Sequence, residues 1–311
     1  MKKDVLFISA VDPTMLPKLE AEFTVHELPA TGRKEFLANV AGRIRFVVTT
    51  GGGGADAALI NALPNLELIA VGTAGYEAVD LAAAAQRGIA VTHTPDVTAN
   101  DVADLVFGLL IAVARRITEA ERFIRGGQWR AGGMDFGTRV SGKRMGIVGL
   151  GAIGRTVAER AQGFEIEIAY HGPRKKPGVS HAYHADVVSL AREVDFLIVS
   201  CPGGRETEGL IDRKVMEALG AGGILVNVSR GSVVDEAALV GALSDGALGG
   251  AGLDVFAHEP RVPDALMAME NVVLAPHVGS ATPETRAAMS DLAIANIRAH
   301  LAGEALLTPV P

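Results

Sequence analysis

Met145-Gly146-Ile147-Val148-Gly149-Leu150-Gly151-Ala152-Ile153-Gly154 decides the reading of this chain. A β-rich apolar run leads into G-x-G-x-x-G, and Arg155-Thr156-Val157-Ala158-Glu159-Arg160 continues with helical character. In a strand–turn–helix of this kind Gly149 permits the tight turn and Gly151 lets the backbone approach a pyrophosphate. Gly154 lets helix and strand pack closely, and the free N–H groups of the helix start, at Ala152 and Ile153, face the anion. The glycine pattern alone is weak; its place between strand and helix makes it specific. It predicts a dinucleotide site, the alternative being a glycine-rich turn without a ligand.

About 20 residues further on, an acid would hydrogen-bond the ribose 2′-OH of NAD. Ile166-Glu167-Ile168-Ala169-Tyr170 reads as the second strand and is followed by His171-Gly172-Pro173-Arg174-Lys175-Lys176, with no carboxylate at the strand end. A 2′-phosphate is bound by Arg and Lys and repelled by an acid. NADPH is therefore the preferred cofactor, with NADH as the second choice; a solvated basic loop is the plain alternative.

The 311 residues, 49% hydrophobic and 21% charged, suffice for one large domain or two ordinary ones and are unlike a disordered chain. A formal net charge of −7 gives no global basic field for nucleic acid or anionic lipid. The single cysteine, Cys201, rules out an intramolecular disulfide and suits a reducing cytoplasm. It follows an expected strand, where a small buried or cofactor-lining side chain fits better than a nucleophile. Lys2-Lys3 before Val5-Leu6-Phe7-Ile8 imitates a signal peptide, but Asp12-Pro13 ends the apolar run, so a first strand is expected. Leu105 to Val113, the longest apolar stretch, is too short to cross a bilayer.

Strands and helices alternate, the pattern of a parallel α/β sheet. In the first part strands are expected at 5–10, 45–49, 67–71 and 89–92, and helices at 55–62 and 78–86. A long helical pattern spans 100–125, with Leu105, Leu109, Val113 and Ile117 at near-helical spacing. An irregular loop follows through Trp129. Strands at 144–149, 165–170, 195–200, 223–228, 249–253 and 271–274 form a six-stranded set matching two mononucleotide-binding halves. Helices at 153–163, 213–219 and 235–243 fit between them, and an amphipathic helix from 283 to 300 closes the chain.

Arg230, Glu259 and His277 fall just beyond expected strand ends, where open α/β sheets bind ligands. Arg230 can hold a carboxylate bidentately. The imidazole of His277 is the group best suited to proton exchange near neutrality, and Glu259 could hydrogen-bond and orient it. Singly, each has a plainer reading: a bridge between strand ends, a solvated turn acid, a satisfied loop histidine.

Four motifs in order raise the specificity. They are Val148-Gly149-Leu150-Gly151-Ala152-Ile153-Gly154, Asn227-Val228-Ser229-Arg230-Gly231-Ser232-Val233-Val234-Asp235-Glu236, Gly252-Leu253-Asp254-Val255-Phe256-Ala257-His258-Glu259-Pro260 and Ala275-Pro276-His277-Val278-Gly279-Ser280-Ala281-Thr282. With them the whole chain resembles a D-isomer specific 2-hydroxyacid dehydrogenase, nearest the NADPH-dependent glyoxylate/hydroxypyruvate reductase branch that includes hydroxyphenylpyruvate reductases.

The resemblance implies two Rossmann-like domains with parallel sheets and an active site in the interdomain cleft. The substrate domain would be discontinuous, 1–97 plus 285–311, around a dinucleotide-binding domain, 98–284, with closure excluding water. Arg230 would bind the 2-oxo acid and polarise its carbonyl, His277 would protonate the developing alkoxide, and Glu259 would sustain the histidine's charge. Asp254 would meet the nicotinamide carboxamide. Cys201, Pro202, Thr207, Val228, Ser229 and Gly279, with His171, Arg174 and Lys175, would complete the cofactor site; no metal is expected. Val71-Gly72-Thr73-Ala74-Gly75-Tyr76 matches the loop whose backbone N–H groups hold the substrate carboxylate, though Thr73-Ala74-Gly75 stands where the family often shows G-x-G.

Residues 96–104 resemble the start of an interdomain and dimer-forming helix, so a homodimer is expected. Where related reductases insert a bulky partner residue, Ala131 to Phe136 lacks a tryptophan; Met134 and Phe136 are weak substitutes, and Trp129 is expected to anchor the preceding loop. A dinucleotide-sensing corepressor-type protein shares the fold but needs no proton donor. Phosphoglycerate and formate dehydrogenases remain alternatives within the enzyme class, although a formate enzyme would replace the glutamate at 259.

Overall fold

The computed structural model describes residues 2–310, which divide into two compact units, 2–98 with 280–310, and Ala99–Gly279. The return to the first unit thus falls at Ser280, ahead of the expected residue 285. The reason is local: Thr282 caps the last helix by accepting the Thr285 N–H at 3.2 Å, so the short approach belongs with that helix.

The first unit runs β1 (Asp4–Phe7), α1 (Met15–Glu22), β2 (Thr24–Glu27), α2 (Arg33–Val40), β3 (Ile44–Thr49), α3 (Ala57–Ala62), β4 (Leu68–Val71), α4 (Leu81–Gln86) and β5 (Ala90–Thr92). Its strands are all parallel in the order β2-β1-β3-β4-β5, a doubly wound sheet whose order reverses between β1 and β3. Successive residues serve opposite faces. Leu6, Val47 and Ile69 pack into one core layer, and Val5, Phe46, Val48, Leu68 and Ala70 into the other. Because both faces are covered, residues 5–7 and Leu68–Val71 read as continuous apolar runs.

The second unit opens with α5 (Ala99–Ala114) and α6 (Ile117–Arg125). It continues through β6 (Arg144–Val148), α7 (Ala152–Ala161), β7 (Glu167–His171), β8 (Ala182–His184), α8 (Val187–Arg192), β9 (Phe196–Val199), α9 (Arg213–Leu219), β10 (Ile224–Asn227), α10 (Glu236–Ser244), β11 (Gly250–Leu253), α11 (Asp264–Ala268) and β12 (Val272–Leu274). The chain then returns to the first unit as α12 (Pro283–Ala302). The parallel sheet of the second unit has the order β12-β11-β10-β9-β6-β7-β8 and reverses between β6 and β9. The glycine motif lies directly after β6, at that switch point.

Several expectations are corrected. The helix expected over 100–125 is two helices, broken where Arg116 takes φ 53°. The Arg116 guanidinium bonds Glu119 at 2.6 and 2.7 Å, bracing the new helix start. Leu109 is buried, but Ile117, expected on the same stripe, is 49% exposed. The sheet of the second unit has seven strands; β8 is three residues long and too short to show a period. Strand β2 and helices α1 and α2 also escaped notice, since Thr24-Val25-His26-Glu27 is neither apolar nor clearly alternating. Helices α3 and α4 start at Ala57 and Leu81, later than expected, because Asp56 and Asp80 cap them by accepting the N–H groups of Leu59 and Ala83 at 2.8 Å. Trp129 does not anchor its loop, being 69% exposed. Among the described residues no helix is long and apolar enough to cross a membrane.

Candidate active site

The glycines after β6 divide into distinct physical roles. Gly149 has φ 96°, and a Cβ there would lie 2.5 Å from the Cys201 backbone. A Cβ on Gly154 would strike the Gly149 carbonyl, so this glycine lets α7 press against its strand. Around Gly151, by contrast, a Cβ meets nothing within 4 Å. Protein packing therefore gives no reason for glycine at 151, whereas close approach of a ligand to the backbone does. No side chain caps α7 and no acid stands in its first turn, so its N–H groups remain open to an anion. The residues fit the pyrophosphate of a dinucleotide.

At the end of β7, Tyr170 is fully buried and its hydroxyl accepts the Lys176 N–H at 2.8 Å, which shapes the basic loop. Arg174 and Lys175 stand exposed on that loop. His171 is tied to the neighbouring strand through an Nδ1 contact of 3.0 Å with the His184 carbonyl. Opposite the glycine turn, Cys201 is buried, and burial pushes its thiol above the ordinary value, in keeping with a lining side chain. Pro202 begins a loop that the Thr207 hydroxyl closes by donating to the Pro202 carbonyl at 2.7 Å. Ser229 donates to the Cys201 carbonyl, and Val228 bonds the Val199 carbonyl at 3.2 Å, bringing the ends of β9 and β10 together beside the glycine turn.

The three polar residues beyond the strand ends are linked step by step. Arg230 directly follows the turn after β10, with its Nη1 on the Ser229 carbonyl at 2.8 Å. At Gly231 a Cβ would collide with the Phe256 carbonyl, so only glycine lets the arginine turn lie against the segment after β11. The Phe256 N–H donates to Glu259 Oε1 at 3.1 Å. Glu259 Oε2 in turn meets His277 Nδ1 at 2.7 Å. This contact leaves Nε2 as the imidazole nitrogen with no partner among the described residues.

His277 sits in a left-handed turn, φ 55°, which a residue with a Cβ adopts only when its surroundings impose it. Asp254 imposes it. Its buried carboxylate accepts the N–H groups of Val278 at 2.7 Å and Gly279 at 2.9 Å, and its backbone carbonyl accepts the His277 N–H at 2.8 Å. Burial pushes this carboxyl above the ordinary value, opposed by the two N–H donors. Sequence reasoning assigned Asp254 only to a cofactor and missed this bracing role, which hydrogen bonds across 24 and 25 residues reveal.

In the first unit, the loop after β4 is held from within. The Thr73 hydroxyl accepts the Gly51 N–H and donates to the Gly75 carbonyl, both at 2.7 Å, and the Gly72 N–H is taken by Thr49. The N–H groups of Thr73, Ala74 and Gly75 have no acceptor among the described residues, so the threonine that replaces a glycine stiffens a set of open donors.

Residues 107–279 match the D-isomer specific 2-hydroxyacid dehydrogenase NAD-binding domain, and the chain belongs to that family of NAD(P)-dependent enzymes. The chain is 51% identical over 278 residues, 89% of each chain, to a hydroxyphenylpyruvate reductase of Plectranthus scutellarioides. It also superimposes on a solved 2-hydroxyacid dehydrogenase of Ketogulonicigenium vulgare Y25 with a TM-score of 0.95 and 47% identity, covering 100% of this chain and 99% of that one. An NADPH-dependent glyoxylate/hydroxypyruvate reductase of Sinorhizobium meliloti, solved with NADP and malonate, gives a TM-score of 0.91 at 39% identity over 100% and 97% of the two chains. The resemblance read from the four motifs holds.

Proposed function

We propose that this protein reduces a small 2-oxo acid, such as glyoxylate or hydroxypyruvate, to the D-2-hydroxy acid, preferring NADPH over NADH. The observation that carries the reading is the Glu259–His277 contact of 2.7 Å on a turn braced by Asp254, in the same unit as the glycine cradle. The bound nicotinamide supplies the hydride. The open N–H groups of Thr73, Ala74 and Gly75 hold the substrate carboxylate, and Arg230 polarises the carbonyl as negative charge develops on its oxygen. Glu259 holds Nδ1, so Nε2 faces the substrate and delivers the proton to that oxygen, while the carboxylate balances the imidazolium charge. Arg174 and Lys175 take the 2′-phosphate. The relatives that reduce hydroxyphenylpyruvate and glyoxylate or hydroxypyruvate support this class of substrate.

The working form is a homodimer in a reducing cytoplasm. Ile117, Ile124, Trp129 and Phe136 are 49%, 57%, 69% and 100% exposed within one segment, apolar side chains that a second copy would cover. The single buried cysteine suits the compartment.

Initial rates with glyoxylate, hydroxypyruvate, phenylpyruvate and pyruvate against both cofactors test the reaction. His277→Ala should lower turnover by about 10²–10⁴-fold with NADPH affinity unchanged. A fully active His277→Ala enzyme would overturn the mechanism.

A further inference from the structure

The first unit holds a cation that this mechanism does not use. Arg286 stands in the first turn of α12, and its half-buried guanidinium makes no hydrogen bond or ion pair among the described residues. Its neighbours in the same unit behave differently. Arg45 holds Glu67, Arg298 holds Glu22, and Arg87 donates to the carbonyls of Ile60, Leu63 and Pro64. Asp12 is the acid whose field reaches Arg286, but its buried carboxylate is already engaged. Oδ1 accepts the Thr14 N–H at 2.8 Å, and the Thr14 hydroxyl lies 2.8 Å from both oxygens. Burial pushes the guanidinium below its ordinary value, with Asp12 acting in the opposite sense. A cation drawn partly out of water without a partner is costly to the fold.

Its position gives that cost a purpose. The last turn of α12 places His300 3.1 Å from Glu67, just ahead of β4. Arg298 pairs with Glu22 and Asp291 with Lys18, so α12 runs alongside α1 and its first turn lies level with the Asp12–Met15 turn, beyond the end of β1. Arg286 therefore sits at the carboxyl edge of the sheet, near the reversal between β1 and β3, where doubly wound sheets bind ligands. The Asp12–Met15 turn also borders the open-donor loop, since a Cβ on Gly72 would lie 3.7 Å from the Met15 methyl.

We propose that Arg286 is a specificity-determining residue whose guanidinium takes an oxygen carried on C3 of the 2-oxo acid. This rests on the proposed function, which leaves that end of the substrate without a partner once the carboxylate and carbonyl are held. Hydroxypyruvate offers such an oxygen; pyruvate has a methyl group there, and glyoxylate has no third carbon. Loss of a charged hydrogen-bond partner discriminates between substrates that carry the acceptor and those that do not.

The test measures kcat and KM for hydroxypyruvate, pyruvate and glyoxylate in wild type, Arg286→Leu and Arg286→Gln, with NADPH affinity measured by fluorescence. The leucine variant should lower kcat/KM for hydroxypyruvate by about 10- to 100-fold, chiefly through KM. Glyoxylate and pyruvate kinetics and NADPH affinity should change little. The hydroxypyruvate-to-glyoxylate ratio is read within each variant, so a partly folded preparation does not distort it. The same ratio in wild type and variants would overturn the role of Arg286. A wild-type enzyme inactive on all three acids would instead overturn the proposed function.

Discussion

Replacing Asp254 by Asn perturbs the brace beneath the candidate proton donor without touching His277. The carboxylate accepts two backbone N–H groups, from Val278 at 2.7 Å and Gly279 at 2.9 Å, and is only 2% exposed. An asparagine offers one oxygen, so one buried N–H would face an NH2 group. Such an unsatisfied donor costs about 1–3 kcal/mol. For a unit of this size each kcal/mol moves the midpoint by about 2–4 °C, so thermal unfolding should fall by about 2–12 °C. The left-handed turn at His277 loses part of its support, and kcat should fall more than NADPH affinity.

The pH dependence has a definite sign. Burial raises the Asp254 carboxyl in the folded protein, so its stabilising contribution is greatest below the ordinary carboxylate range and is lost as pH rises through its folded value. The asparagine does not titrate. The stability gap between wild type and Asp254→Asn should therefore be largest in acid and shrink toward neutrality. Paired calorimetric scans from acid to neutral pH would measure it; a gap that widens with pH, or an unchanged midpoint with unchanged kcat, refutes the reasoning.

Other outcomes follow from the same geometry. Neutralising Arg174 and Lys175 should weaken NADPH binding by about 1.5–3 kcal/mol per lost phosphate contact and leave NADH little affected; equal losses by titration would remove the basic loop from cofactor choice. Glu259→Gln keeps a hydrogen-bonding shape but removes the charge facing Nδ1, so it should lower kcat at unchanged NADPH affinity; a variant with wild-type kcat would dissolve the pairing. Sedimentation should show a two-chain species, and Phe136→Asp, at a fully exposed position, should shift it toward monomer; a wild-type monomer with full activity would exclude the dimer.

The sequence by itself determined the elements whose signals are local. Apolar runs such as Leu68–Val71, buried throughout, mark strands covered on both faces, and the turn after β6 needs glycine for conformation at 149 and for packing at 154. The placement of Arg230, Glu259 and His277 beyond the ends of β10, β11 and β12 was legible because each follows an apolar run that ends in a turn. Only the tertiary structure decided what depends on groups distant along the chain. The break at Arg116 turns on a change of environment, since the apolar stripe continues while the surface to cover it does not. The link from Arg230 through Phe256 and Glu259 to His277 arises because parallel strands set their ends side by side. Asp254 as a brace and Arg286 without a partner are likewise invisible to periodicity. A hydrogen bond satisfied or left open is a property of what lies opposite in space, and no spacing along one chain records it.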